Sequence, residues 1–140
     1  RKSGIKVWSI HGIYCGPLSG TEADIQKSID AACARVEALA EFASCPVVEH
    51  YLDRFNDPAY GKVFRKAVEK LYDFYSRLGF VLCIETAPYK PKQNERYPDS
   101  AEIAAFVRSF QKDDLRMTID INHSNIGNYG ILLCRIWYQL

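Results

Sequence analysis

The segment Thr118-Ile119-Asp120-Ile121-Asn122-His123-Ser124-Asn125 decides the fold. A short apolar strand runs into an aspartate, and a histidine follows three residues later. The same event recurs upstream. His11 follows Val7-Trp8-Ser9-Ile10, His50 follows Val47-Val48-Glu49, and Glu85 follows Val81-Leu82-Cys83-Ile84. All three histidines, one glutamate and Asp120 therefore stand where an apolar strand stops. Strands this continuously apolar are buried on both faces, the habit of parallel sheets.

Helical segments separate the strands. Thr21 offers an N-cap, and Ile25, Ile29, Ala32, Cys33, Val36, Leu39, Ala40 and Ala43 keep helical spacing. Asp57-Pro58 supplies a cap with proline at the first helical position, and an apolar face then runs from Tyr60 to Leu78, with Gly79 as its stop. Asp99 with Glu102 reads as a capping box ahead of Ile103, Phe106, Val107 and Phe110. Strands are predicted over 5–10, 45–50, 80–85 and 115–121, starting roughly 35–40 residues apart, the length of a βα unit. The class is α/β, with about four βα units and parallel strands under helices. A small doubly wound parallel sheet is the alternative. Residues 1–140 read as one domain, and the apolar tail 127–140 has no clean period.

Composition narrows the function. The 140 residues carry 25% charged side chains and a net charge of +1, so nothing marks a nucleic-acid or anionic-membrane surface. No apolar run reaches the ~18 residues of a membrane span. The segment Arg1-Lys2-Ser3-Gly4 leads directly into a strand, without the apolar core of a signal peptide. Cys15, Cys33, Cys45, Cys83 and Cys134 are odd in number and lack CxxC spacing. They read as reduced thiols of a cytoplasmic protein.

In parallel α/β folds the carboxyl ends of the strands share one rim, and sites are built there. His11, His50, Glu85, Asp120 and His123 would converge on it. Imidazole and carboxylate together are ligands for a divalent ion. One strand-end histidine is more often a hydrogen-bonded structural residue, but five such groups on one rim favour a site. Glu85 carries most weight, because a charge at the end of an apolar strand is costly without a partner. Glu49 should point to the opposite face, toward helices or solvent. Tyr89, Lys90, Lys92, Glu95 and Arg96 read as a solvated loop, and Trp8 and Trp137 as core or interface.

These strand ends resemble the xylose isomerase-like TIM-barrel superfamily of sugar phosphate isomerases/epimerases and endonuclease IV-like enzymes. Ser9-Ile10-His11-Gly12-Ile13-Tyr14, Val47-Val48-Glu49-His50, Cys83-Ile84-Glu85-Thr86-Ala87-Pro88 and the opening segment carry the likeness, over residues 4–126. The resemblance implies a partial (β/α)8 barrel and a divalent metal (Mn, Zn, Co or Mg). It implies that Glu85 is both metal ligand and acid/base, that Asp120 is a second ligand, and that His123 contacts substrate oxygens. In the endonuclease-like branch, residues matching His11, His50 and His123 also bind zinc. The implied activity is metal-dependent sugar (phosphate) isomerisation or epimerisation, by proton transfer at a carbon next to a carbonyl. The alternatives are zinc-dependent hydrolysis of abasic DNA and an inactive fragment. The chain matches the family's third to sixth strands, and Tyr51-Leu52-Asp53 stands where many relatives have Pro-Gly. The isolated chain is therefore expected to be incomplete, with little or no turnover and with sheet edges open to homodimer pairing.

Overall fold

Two capping boxes set the helix starts. In the computed structural model, which describes residues 4–12, 21–50, 58–86 and 98–126, Thr21 Oγ1 accepts from the Asp24 amide while Asp24 accepts from the Thr21 amide. Asp99 and Glu102 do the same. Helix α1 then spans Glu22–Leu39 and α3 spans Ser100–Arg108. Helix α2, Pro58–Arg77, begins at its proline and ends in a Schellman turn. Gly79 takes φ +78°, the Phe80 amide reaches Tyr75 O at 3.0 Å, and the Gly79 amide reaches Ser76 O at 3.0 Å.

The strands are β1 (Ile10–His11), β2 (Pro46–Glu49), β3 (Val81–Glu85) and β4 (Leu115–Thr118), followed by the short α4 (Ile121–Ile126). They form one sheet in the order β1-β2-β3-β4, every pair parallel. The order has no switch point, so right-handed crossovers lay successive helices on one side. One row of the register is Ile10, Val47, Leu82 and Leu115, and its neighbour is His11, Val48, Cys83 and Arg116. The first row belongs to the core cluster with Val36, Phe64, Leu71, Tyr75, Ile84 and Ile103. Alternation therefore puts His11, Val48, Cys83, Glu85 and Thr118 on the other face. Each fully buried core side chain contributes about 1.5–3 kcal/mol.

Three boundaries differ from the pattern. Residues 5–9 are not strand; among the described residues β1 pairs only with β2, and Ile5 and Trp8 are exposed. Helix α1 closes at Leu39 rather than running to Ala43, because the Ala40 amide tightens onto Glu37 O. β4 stops at Thr118 because Asp120 Oδ1 accepts from the Asn122 and His123 amides and starts α4. Cys33 is half-buried, and Cys45 and Cys83 are buried; all three are free thiols. Asp57, Tyr51-Leu52-Asp53, the residues 89–96, Cys15, Cys134, Trp137 and the tail 127–140 lie outside the described residues. No helix among the described residues is long and apolar enough to cross a membrane.

Candidate metal centre

Each site residue is placed by a strand end. The register sets Glu49 against Ile84 and Glu85 against Thr118, so His50 falls beside Glu85 and Asp120 just beyond. His50 Nε2 lies 2.6 Å from Glu85 Oε2, and His11 Nε2 lies 3.8 Å from it. The two imidazoles are themselves close, Nε2 to Nε2 2.9 Å. On the other side, His123 Nε2 stands 3.8 Å from Asp120 Oδ2, and the His50 and His123 rings are 5.6 Å apart. All five residues expected at the rim are thus gathered there. They fall into two groups, His11-His50-Glu85 and Glu85-Asp120-His123, each with ligand atoms within 4.8 Å of one another and Glu85 in both.

The hydrogen bonds fix which atoms face inward. His11 Nδ1 is 2.9 Å from Gly12 O, and His123 Nδ1 is 2.7 Å from Thr86 O. A carbonyl only accepts, so each Nδ1 carries the proton. In the neutral ring the lone pair is then on Nε2, the tautomer of a metal-binding histidine oriented through its other nitrogen. Asp120 Oδ1 is spent on the α4 cap, while Oδ2 stands 3.8 Å from His123 Nε2. Glu85 Oε2 is buried and makes no hydrogen bond to the described residues, although His50 Nε2 stands 2.6 Å away. A buried carboxylate oxygen gathered with imidazole nitrogens in this way matches the donor set of a divalent cation.

Electrostatics agree. Burial raises the Glu85 pKa, against the lowering influence of His123 and His11. Burial also lowers the pKa of His50, reinforced by His11 and His123, so this imidazole stays neutral. The His123 amide, chief among its causes, lowers the pKa of Asp120 and keeps it anionic.

Sequence reasoning gave two contributors no part in the site. Thr86 is buried and ties β3 to the Asp120 turn. Its amide donates to Thr118 O at 3.1 Å, and its Oγ1 accepts from the Asp120 amide at 3.0 Å. Its only sequence signal was its place after Glu85. Glu49 does face the helices, as alternation required, but it is fully buried and accepts from Tyr75 Oη at 2.5 Å. A groove of about 660 Å³ between α1 and α2 is lined by Asp30, Lys70, Asp73 and Arg77 among others. It lies on the helix side and gathers none of the strand-end groups.

A protein-family model described as xylose isomerase-like TIM barrel matches residues 1–139. The match extends past residue 126, where the motif resemblance stops. No curated protein and no solved structure matches the chain.

Proposed function

The chain belongs to the xylose isomerase-like TIM barrel family, and on that premise we propose that it carries the divalent-metal site of a sugar or sugar-phosphate isomerase/epimerase. The observation that carries the reading is Glu85 Oε2, buried and without a hydrogen bond among the described residues, where the two ligand groups meet. Glu85 and Asp120 hold the cation (manganese, zinc, cobalt or magnesium), with His123, His11 and His50 as further ligands or substrate contacts. The chemistry such an ion supplies is positive charge against a substrate carbonyl or hydroxyl oxygen. Glu85, with its proton affinity raised by burial, takes and returns the proton on the adjacent carbon. His123, pinned to Thr86 O through Nδ1, keeps its Nε2 lone pair to accept from a substrate hydroxyl or to ligate the cation. The free thiols of Cys33, Cys45 and Cys83 suit a reducing, cytoplasmic setting.

A second reading has its own support. His11, His50 and Glu85 form a two-imidazole, one-carboxylate set, the composition of several hydrolytic zinc sites. An endonuclease IV-like hydrolase would use it on abasic DNA. The near-neutral chain offers little basic charge for phosphates, which favours the small-sugar reading. Incubation with a ketose phosphate and Mn²⁺ in D₂O separates the two. Deuterium uptake next to the carbonyl, lost in Glu85→Gln, supports the isomerase. Strand cleavage at an abasic site without such uptake would replace it with the hydrolase.

A further inference from the structure

We propose that Glu49 is a positioning residue that sets the approach of His11 and His50. The inference rests on reading these histidines as ligands, but concerns a group outside the site, on the opposite face of the sheet. Glu49 is 2% exposed, and a carboxyl so deeply buried needs a reason to be there, even with Arg35 near enough to favour its charge. Tyr75 Oη of α2 donates to Oε1 at 2.5 Å. Oε2 receives no hydrogen bond from the described residues and rests against Gly12. A Cβ at Gly12 would collide with the Glu49 carboxyl and stand 2.7 Å from Val48 O.

Gly12 is the residue that holds His11. Its amide continues the β1–β2 ladder to Val48 O at 2.7 Å, and its carbonyl accepts from His11 Nδ1 at 2.9 Å. The Glu49 carboxyl therefore bears on the peptide that orients His11, while its own backbone leads directly into His50. Behind it lies a cavity of about 320 Å³ bordered by Ile10, Gly12, Arg35, Leu39 and Glu49, so no other side chain among the described residues fills the place next to Gly12. Tyr75, fully buried, anchors the wedge to α2. The 2.9 Å Nε2–Nε2 approach follows from this arrangement on the far side of the sheet.

The test compares wild type, Glu49→Ala, Glu49→Gln and Tyr75→Phe in two measurements. One is the nuclear Overhauser effect between the His11 and His50 ring protons without metal. The other is Co²⁺ titration read by calorimetry and visible absorption. Glu49→Ala is expected to lose the ring–ring effect, weaken Co²⁺ binding tenfold or more and alter its absorption. The near-isosteric Glu49→Gln should keep all three within about threefold. A folded Glu49→Ala with wild-type ring contact and affinity overturns the proposal, as does Glu49→Gln failing as badly as alanine. If Glu49→Ala does not fold, Tyr75→Phe decides: a threefold or greater loss of affinity supports the wedge, and an unchanged affinity refutes it. Wild type that fails to bind Co²⁺ removes the ligand reading, and the ring–ring effect alone then decides the positioning.

Discussion

Thr86→Val removes one oxygen from the joint between Glu85 and Asp120 and leaves the side-chain shape almost unchanged. Thr86 Oγ1 accepts the Asp120 amide at 3.0 Å and stands 3.4 Å from Asp120 O. Valine keeps the backbone bonds, from the Thr86 amide to Thr118 O and from His123 Nδ1 to Thr86 O. Lost with the hydroxyl are the acceptor of the Asp120 amide and a long donation, 3.4 Å, to the Asp120 carbonyl. A buried donor left unmet costs about 1–3 kcal/mol. The Asp120 side chain is 33% exposed, so water can reach this turn and the low end applies. That is about 1 kcal/mol, or a fall of roughly 3–5 °C in Tm for a chain of this size. The larger effect falls on the site, because the turn that aims Asp120 Oδ2 and His123 loses its tie to β3. Groups that orient metal ligands are typically worth about 10–100-fold in affinity. Mn²⁺ titration of both proteins by calorimetry, with thermal melts of the metal-free forms, measures both effects. An affinity within about twofold of wild type, in a protein that melts a few degrees lower, would refute the reasoning. Thr86 would then support the fold but not the site.

Two further outcomes concern the scaffold. Burial raises the pKa of Glu49, against the lowering influence of the Tyr75 hydroxyl. A raised carboxyl contributes stability that is fully present below about pH 4 and is lost as pH rises through the folded-state value. Metal-free Glu49→Gln should therefore match wild type in Tm near pH 4 and exceed it at pH 8; an equal difference at both pH values would contradict this. Gly79→Ala forces a side chain into the left-handed region at φ +78°, with its Cβ 3.1 Å from Ser44 Oγ. A loss of about 1–2 kcal/mol in urea unfolding is expected, and no loss would mean that the turn relaxes.

The sequence carried the fold where a local rule sets the structure. Thr21, Asp99, Pro58 and Gly79 each act within a few residues of themselves, and each starts or stops a helix as read. The rim was legible because alternation and parallel pairing leave few places for a strand-end side chain. Residues 5–9 have strand composition but lie at the edge strand, where composition alone gives no second partner. Ile119 and Ile121 looked like more strand, yet the Asp120 carboxylate captures two amides and begins α4. Glu49–Tyr75 was hidden for another reason. The two residues are 26 positions apart, and nothing local in either says that one hydroxyl will meet one carboxylate in the core. Thr86 was hidden likewise, since its work is done 34 residues away at Asp120.

The central claim is that Glu85 joins the two ligand groups around a divalent cation. Calorimetric titration of Mn²⁺ and of Zn²⁺ into wild type and Glu85→Gln, with circular dichroism to show that both are folded, tests it most directly. The account predicts measurable binding to wild type and loss of both ions in the variant, because Glu85 is the ligand common to both groups. Equal binding by the two proteins would contradict it.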